Sequence, residues 1–165
     1  MSVAAEFEAA NKQYAAQFTK GDLPLPPGRK VLVVTCMDAR IDPARALGLA
    51  EGDAHVIRNA GGRASDALRS VIISQQLLGT REITTLTDFV RQTDCGMLTF
   101  SDEVLRSKIR AELEENADHV AFLPFGDLRQ SVADDVALLQ KSGLVLDVPV
   151  SGYIYDVKTG AITRV

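Results

Sequence analysis

Residues 30–36 constrain the fold of this chain more than any other segment. They read KVLVVTC, a short and nearly continuous apolar run. A strand that carries apolar side chains on both faces is typical of a parallel sheet covered by helices on its two sides. The run therefore predicts a buried parallel strand, with the thiol of Cys36 at the carboxyl end of that strand.

Predicted strands and helices alternate along the rest of the chain. Strand candidates cover residues 54–58, 82–90 and 119–123, and helix candidates begin at Ser65, Ser101 and Leu128 and end near Gly79, Asn116 and Gly143. The tail from Pro149 predicts a hairpin that turns at residues 158–160. This order predicts an α/β fold: a mostly parallel sheet of four or five strands, flanked by helices, with a C-terminal β-hairpin.

Residues 4–19 predict an amphipathic helix that stands apart from the other elements. Apolar side chains recur every three or four residues along it: Phe7, Ala10, Tyr14 and Phe18. Three prolines within residues 22–28 make the connector that follows stiff. Such a helix must bury its apolar stripe either on its own domain or on a partner subunit. The length of 165 residues suits a single domain over residues 1–165.

Charge and hydropathy exclude two classes of partner. A net charge of −4 leaves no sign of the basic face that nucleic acid requires. No apolar run approaches the roughly 20 residues that a membrane span needs. The N-terminal residues are mixed and charged, without the apolar centre of a signal peptide. We therefore expect a cytoplasmic protein that binds neither nucleic acid nor membranes.

The two cysteines, Cys36 and Cys95, are too few for a disulfide framework. In a reducing compartment such a pair consists of buried thiols, a redox couple or metal ligands. The chain has no CxxC motif, which would lower the pKa of a thiol, so a redox protein is disfavoured. Each cysteine follows an apolar strand, and we expect both at the same edge of the sheet, where α/β proteins bind ligands.

Three short motifs follow three predicted strands. They read CMDAR over residues 36–40, RNAGGR over residues 58–63 and QTDCGM over residues 92–97. Alone, the first fits a buried thiol beside a surface ion pair about as well as a catalytic site. The glycine pair of the second permits close backbone approach but lacks the GxGxxG spacing of a dinucleotide site. The third alone is a weak indication of a metal ligand.

In this order and spacing, the three motifs resemble those of the β-carbonic anhydrases. The likeness extends from about Val31 to the tail hairpin, and the short chain is similar to the small members of that family. The resemblance implies a lyase that reversibly hydrates CO2 to bicarbonate. It also implies a homodimer or a higher oligomer, in which residues 1–28 pack on the partner subunit.

The resemblance further implies a zinc ion (Zn2+) held by two thiolates and one imidazole. Cys36 and Cys95 match the two cysteine ligands, and Asp38 matches an aspartate that either binds the metal or turns to Arg40 and leaves that position to water. Zinc lowers the pKa of its bound water to about 7, and the resulting hydroxide attacks CO2 while Asp38 accepts its hydrogen bond. We expect Asp38 and Arg40 to be catalytic. The residues expected to border the substrate are Ala60, Gly61, Gly62 and Gly96.

One position departs from the family pattern. The family places its imidazole three residues before the second cysteine, where this chain has Gln92. Residues 83–92 also look longer and more polar than the family's strand. An amide oxygen is a poor zinc ligand, and we expect neither His55 nor His119 to replace the imidazole. Asp88 or Asp94 could offer a carboxylate, but two thiolates and two carboxylates would make a strongly anionic site. Asp38 would then stay on the metal and close the site, so we expect weakened activity.

Two other functions remain open on the sequence. The first is hydrolysis of a CO2 analogue, carbonyl sulfide or carbon disulfide, to which the family's chemistry extends. The second is a catalytically decayed family member that acts only as a dimeric protein. The intact pair of Asp38 and Arg40 argues against long decay.

Overall fold

The computed structural model describes residues 2–89 and 96–165, which contain five strands and five α-helices. The strands are β1 (Val31–Cys36), β2 (Ala54–Asn59), β3 (Glu82–Phe89), β4 (Val150–Asp156) and β5 (Ile162–Arg164). The helices are α1 (Val3–Ala16), α2 (Pro43–Leu47), α3 (Ala64–Leu78), α4 (Asp102–Leu113) and α5 (Leu128–Lys141). Short 3-10 turns cover Ala60–Gly62 and Gly96–Leu98. None of these helices combines the length and the apolar character needed to cross a membrane.

The five strands form one sheet in the order β2-β1-β3-β4-β5. The first four of these are parallel, and β5 runs antiparallel to β4. The predicted α/β fold with a C-terminal hairpin is therefore confirmed. The chain passes from β1 to β2 on one side and then to β3 on the other, so the strand order reverses around β1. In open α/β sheets, ligands bind at such a point, beyond the carboxyl ends of the strands.

The core lies between the sheet and helices α3 and α5. Both faces of β1 are covered, as its continuous apolar run predicts: Leu32, Val33 and Val34 are at most 2% exposed. The residues of the main apolar cluster are Leu32, Val34, Ala64, Ala67, Val71, Ile83 and Leu139. This packing holds the carboxyl end of β1 rigidly in place.

Helix α1 is confirmed as a separate element, although it ends at Ala16 rather than near residue 19. None of its side chains is buried, and Phe7 is 69% exposed. The end of the helix is tied to the body of the chain, because Tyr14 Oη donates a hydrogen bond to Glu51 Oε1 at 2.7 Å. Lys20 forms an ion pair with the same carboxylate. The described part of the chain leaves the apolar stripe uncovered.

The predicted strand at residues 119–123 is wrong. Residues 119 and 120 belong to a turn that is closed by a hydrogen bond from Val120 N to the Ala117 carbonyl, and Leu123 has a left-handed φ of 59°. The position beside β3 is taken instead by β4, which pairs with β3 along seven residues. Residues 119–123 therefore run outside the sheet, where they approach the loop that follows β2.

Several boundaries also differ from the predictions. Helix α3 begins at Ala64, so that Arg63 occupies the N-cap position expected for Ser65. Helix α4 ends at Leu113, where Glu114 adopts a left-handed conformation. The short helix α2 was not predicted, although Asp42 caps its N-terminus and a proline occupies its first turn.

Candidate functional site

A cavity of about 150 Å³ lies at the carboxyl edge of the sheet, next to the end of β1. It is lined by residues of all three sequence motifs: Cys36, Met37, Asp38, Ala60, Gly61, Gly96 and Met97. The sequence predicted that the motifs would meet at this edge, and their described residues do so. The two methionines were not among the predicted site residues, and both contribute apolar surface to the cavity.

Cys36 is the last residue of β1 and is 6% exposed. It lies opposite Asn59 in the ladder between β1 and β2. The ladder continues for one more bond, because Met37 N donates to the Asn59 carbonyl at 2.9 Å. The thiol is therefore presented to the cavity by a rigid strand end rather than by a loose loop.

The carboxylate of Asp38 is held by Arg40 at both of its oxygens. Oδ1 accepts hydrogen bonds from the backbone N and from Nε of Arg40, at 2.8 and 3.0 Å. Oδ2 accepts a hydrogen bond from Nη2 of Arg40 at 2.5 Å. Two-point pairing of this kind fixes the plane of the carboxylate as well as its position. Of the two arrangements that the resemblance implies for Asp38, the structure has the one in which it is turned to Arg40.

Arg58 holds the backbone of the first motif from the neighbouring strand. Its Nε donates to the carbonyl of Cys36 at 3.1 Å, and its Nη2 donates to the carbonyl of Asp38 at 2.6 Å. Arg58 lies opposite Thr35 in the ladder, which brings its side chain to the end of β1. The sequence singled out this loop for its glycines, and the contact of Arg58 with the first motif was missed.

Asn59 closes the loop that follows β2. Its Oδ1 accepts a hydrogen bond from Arg63 N at 2.7 Å, and its Nδ2 donates to the Arg63 carbonyl at 2.9 Å. The loop backbone approaches β1 so closely that a Cβ on Gly62 would lie 3.0 Å from the backbone N of Cys36. Gly62 therefore packs against the end of β1, while Ala60 and Gly61 line the cavity.

Behind this loop lies a buried ion pair between Arg63 and Asp135 of α5. Nε of Arg63 is 3.1 Å from Oδ2 of Asp135, whose side chain is only 3% exposed. Burial raises the pKa of Asp135, and the raise is partly offset by the charge of Arg63 and by a hydrogen bond from the backbone of Ala64. The guanidinium of Arg63 also lies over the ring of Phe125, 5.6 Å from its centroid.

Neither histidine lies at the cavity. His55 is opposite Leu32 in the sheet, four residues before the pair of Asn59 and Cys36, which is about 13 Å along the strand. Its Nδ1 is 2.7 Å from Ser74 Oγ. His119 is exposed on the turn before residue 120. Within residues 2–89 and 96–165, no three His, Cys, Asp or Glu side chains form a group that could hold a metal.

The donors that the structure places at the cavity fit zinc in their chemical type. Cys36 offers a thiolate and Asp38 a carboxylate, both of which zinc accepts as ligands. Gln92, Asp94 and Cys95 lie outside the described residues. Gly96, which directly follows Cys95 in the sequence, lines the same cavity as Cys36.

Comparisons with known proteins give relatives over the whole chain, although no family model matches it. The chain is 41% identical over 169 residues to β-carbonic anhydrase 1 of Mycobacterium tuberculosis, covering 100% of this chain and 99% of that protein. The solved structure of a carbonic anhydrase from Streptococcus mutans superposes with a TM-score of 0.91 at 46% identity, over 100% and 98% of the two chains. The carbon disulfide hydrolase of Saccharolobus solfataricus is 33% identical over 178 residues, covering 93% of this chain and 84% of that protein.

Proposed function

Since the chain belongs to the β-carbonic anhydrase family, we propose that it catalyses the reversible hydration of CO2 to bicarbonate. One observation carries the proposal: the Cys36 thiol, the Asp38 carboxylate and the neighbour of Cys95 in the sequence border one small cavity. The position of this cavity, where the strand order reverses, is the usual ligand position in sheets of this type.

We propose one zinc ion as the cofactor, with Cys36, Cys95 and Asp38 as the residues of this chain that would hold it. When bound, zinc supplies Lewis acidity, which makes water a usable nucleophile near neutral pH. The donor types support this assignment, because zinc binds thiolate sulfur and carboxylate oxygen readily.

In the proposed reaction, Asp38 is the hydrogen-bond acceptor that orients the attacking water. Arg40 binds both oxygens of this carboxylate and so keeps it at a fixed angle to the cavity. Arg58 fixes the backbone on either side of Met37, which limits the movement of Asp38 relative to Cys36. A preorganised acceptor of this kind lowers the barrier because little reorientation is needed when the reaction occurs.

The cavity walls suit a small apolar substrate. Met37, Ala60 and Met97 contribute apolar surface, and the backbone of Gly61 completes the wall without a side chain. CO2 has no charge and no strong hydrogen-bonding group, so an apolar wall binds it without leaving polar groups unsatisfied. We infer that these residues border CO2 as it meets the nucleophile.

Gln92 is the reason to expect weak activity. It offers an amide oxygen where the family has an imidazole, and zinc prefers nitrogen and sulfur ligands. A site with one ligand fewer binds zinc less tightly. The vacant position also favours binding of Asp38 to the metal over its pairing with Arg40. We propose that the rate of CO2 hydration lies below that of a complete site.

Hydrolysis of carbon disulfide is a second candidate function. It is favoured by the 33% identity to a carbon disulfide hydrolase over most of this chain. The same apolar cavity and the same donors would serve both reactions, since the two substrates are linear and carry an electrophilic carbon. The two functions are separated by measuring both substrates on one preparation with a known zinc content.

We further propose that residues 1–165 form one domain that assembles as a homodimer in the cytoplasm. The uncovered apolar stripe of α1 supports a role for residues 1–28 in packing on the partner subunit. The anchoring of Tyr14 and Lys20 on Glu51 supports a fixed direction for the helix as it leaves the body of the chain.

The test of the proposed activity combines metal analysis with stopped-flow CO2 hydration. We expect zinc and measurable hydration in the unmodified protein. Both should be reduced in Cys36→Ser and in Asp38→Asn, because both residues are proposed to hold the metal. Asp22→Asn, a change of the same type in the exposed connector, serves as the control and should leave both unchanged. If the protein binds no zinc even after incubation with the metal, both CO2 hydration and carbon disulfide hydrolysis are excluded.

A further inference from the structure

We propose that Arg63 is a positioning residue: through Phe125 it fixes one wall of the cavity and so limits the size of the molecule that the cavity admits. The inference rests on the proposed function for the identity of the substrate. The geometry that supports it involves side chains outside the expected catalytic and metal-binding sets.

Arg63 is itself held firmly from two directions. Its backbone is bound on both sides by the Asn59 side chain, at 2.7 and 2.9 Å. Its guanidinium is paired with Asp135, a buried carboxylate of α5. Pairing with a carboxylate that has little access to water leaves the Arg63 side chain few alternative positions, because leaving would strand a buried charge.

From this position Arg63 holds the segment that precedes α5. Nη1 of Arg63 donates to the carbonyl of Leu123 at 3.5 Å, and the guanidinium lies 5.6 Å from the centre of the Phe125 ring. Residues 123–125 belong to no helix or strand. This segment is therefore held in place by contacts with Arg63 and with the loop that carries Met97. Phe125 N donates a hydrogen bond to the Met97 carbonyl at 3.3 Å.

Phe125 in turn lies beside two residues of the cavity wall, Gly61 and Met97. A Cβ placed on Gly61 would lie 2.9 Å from Cγ of Met97 and 3.3 Å from Cε1 of Phe125. Gly61 and Met97 line the cavity, and Phe125 lies next to Gly61 without being among the lining residues. At this spacing the three residues leave no room for an added methyl group. They are therefore closely packed, and a movement of the Phe125 ring would disturb the packing of Gly61 and Met97.

The position of this wall bears on the choice between CO2 and its larger sulfur analogue. Met97 forms part of the apolar wall of this cavity of about 150 Å³, so its position sets how closely the wall contacts a bound molecule. We infer that loss of the hold on Phe125 lets the wall relax, which favours the larger molecule over CO2. In an apolar pocket, a difference of about one methylene group changes selectivity by roughly 10-fold or more.

The experiment uses the two substrates and a signal that does not depend on catalysis. The chain has three methionines, so protein labelled with 13C at the methionine methyl groups gives three signals, one of which is Met97. In Arg63→Lys, and in the double variant Arg63→Met with Asp135→Asn, we expect the Met97 signal to shift because the Phe125 ring has moved. The double variant leaves no unpaired charge, which protects it from unfolding. Arg69→Met, an exposed arginine of α3, is the matched control.

In the same variants, we expect carbon disulfide to inhibit CO2 hydration more strongly. The ratio of its inhibition constant to the KM for CO2 should fall by about 10-fold. The kcat for CO2 should change less than this ratio. An unmoved Met97 signal together with an unchanged ratio in both variants would overturn the role of Arg63. Unmodified protein without any CO2 hydration would instead overturn the proposed function, and the Met97 signal would still decide whether Arg63 positions the wall.

Discussion

Arg58 Nη2 donates a hydrogen bond to the backbone carbonyl of Asp38 at 2.6 Å, while its Nε binds the carbonyl of Cys36. One guanidinium thus connects the backbone of an expected metal ligand with that of the expected catalytic carboxylate. Because the planar fork of arginine presents its donors at fixed angles, it sets the distance between the two carbonyls as well as their positions. Neither residue can shift far without breaking one of these bonds.

Replacing Arg58 should reduce activity more than stability. We expect Arg58→Met to lower the rate of CO2 hydration by about 10- to 100-fold, the usual cost of losing a partner that orients a metal ligand. The free energy of unfolding should fall by only about 1 kcal/mol, since the side chain is exposed and its bonds are to neutral carbonyls. Arg58→Lys, which keeps the charge but loses the fork, should be intermediate. Stopped-flow kinetics and chemical denaturation measure the two effects, with Arg129→Met on α5 as the control.

The buried carboxylate of Asp135 should leave a signature in the pH dependence of stability. Burial raises its pKa in the folded protein above that of the unfolded chain. The stability that this group contributes is therefore fully present below its unfolded pKa of about 3.9 and is lost as the pH rises through the folded pKa. Asn in this position cannot titrate. We expect the unfolding free energy of the unmodified protein, relative to Asp135→Asn, to increase as the pH is lowered from 7 toward 4, measured by urea denaturation. A constant difference across that range would contradict the raised pKa.

Gly61 and Gly79 form a matched pair for testing the cavity wall. Both have a φ of 76°, a conformation that costs a residue with a Cβ about 1–2 kcal/mol. A Cβ on Gly79 meets nothing within 4 Å, whereas one on Gly61 meets Met97 and Phe125. Gly79→Ala should therefore lose stability by the conformational cost alone and keep its activity. Gly61→Ala should lose further stability and also reduce the rate of CO2 hydration. Thermal unfolding and stopped-flow kinetics measure the two effects. Equal behaviour of the two variants would contradict close packing at the cavity wall.

The sheet could be predicted from the sequence where local pattern and tertiary environment agree. Residues 31–36 are apolar throughout and are indeed covered on both faces. Residues 119–123 have a similar apolar character, yet they form no strand, because β4 pairs with β3 and occupies the available edge. Which of two apolar segments joins a sheet is decided by competition between distant parts of the chain, and a local pattern does not contain that information.

In the candidate site, too, local sequence predicted some features, while contacts between distant residues were not predicted. Cys36 and Asp38 were correctly predicted at the edge of the sheet, because Cys36 ends a strand whose carboxyl end was predictable and Asp38 lies two residues beyond it. The contacts of Arg58 and of the pair Arg63–Asp135 were missed, since their partners lie far away in the sequence and nothing in the spacing connects them. Helix α2 was missed for another reason: five residues are too few to show helical periodicity.

The apolar stripe of α1 predicts assembly. Phe7 is the most exposed aromatic residue of this helix, and burial on a partner subunit would stabilise the dimer by roughly 1.5–3 kcal/mol for a side chain of this size. We expect light scattering at micromolar concentration to give a dimer for the unmodified protein and a monomer for Phe7→Glu. Ala9→Glu adds the same charge to the opposite side of the helix and should remain dimeric. A monomeric unmodified protein would rule out this assembly.

The ligand position at Gln92 gives the most direct prediction about activity. A neutral imidazole at this position would complete the set of two thiolates and one imidazole, so that Asp38 could remain bound to Arg40, as it is in the structure. We therefore expect Gln92→His to raise both the zinc content and the rate of CO2 hydration. Gln130→His, on the exposed side of α5, adds an imidazole away from the cavity and should change neither.

The outcome depends on the register of residues 83–92, a segment that the sequence predicts to be longer than the family's strand. If the added residues carry position 92 away from the metal, the new imidazole cannot bind it, and Gln92→His will show no gain over the control. Full zinc occupancy and a fast rate in the unmodified protein would show that Gln92 is no defect. Another side chain would then complete the site. The structure already excludes His55 from that role, since it lies about 13 Å from the level of Cys36 along the sheet. Asp88 and Asp94 would be the first to replace, because each offers a carboxylate, which zinc accepts as a ligand.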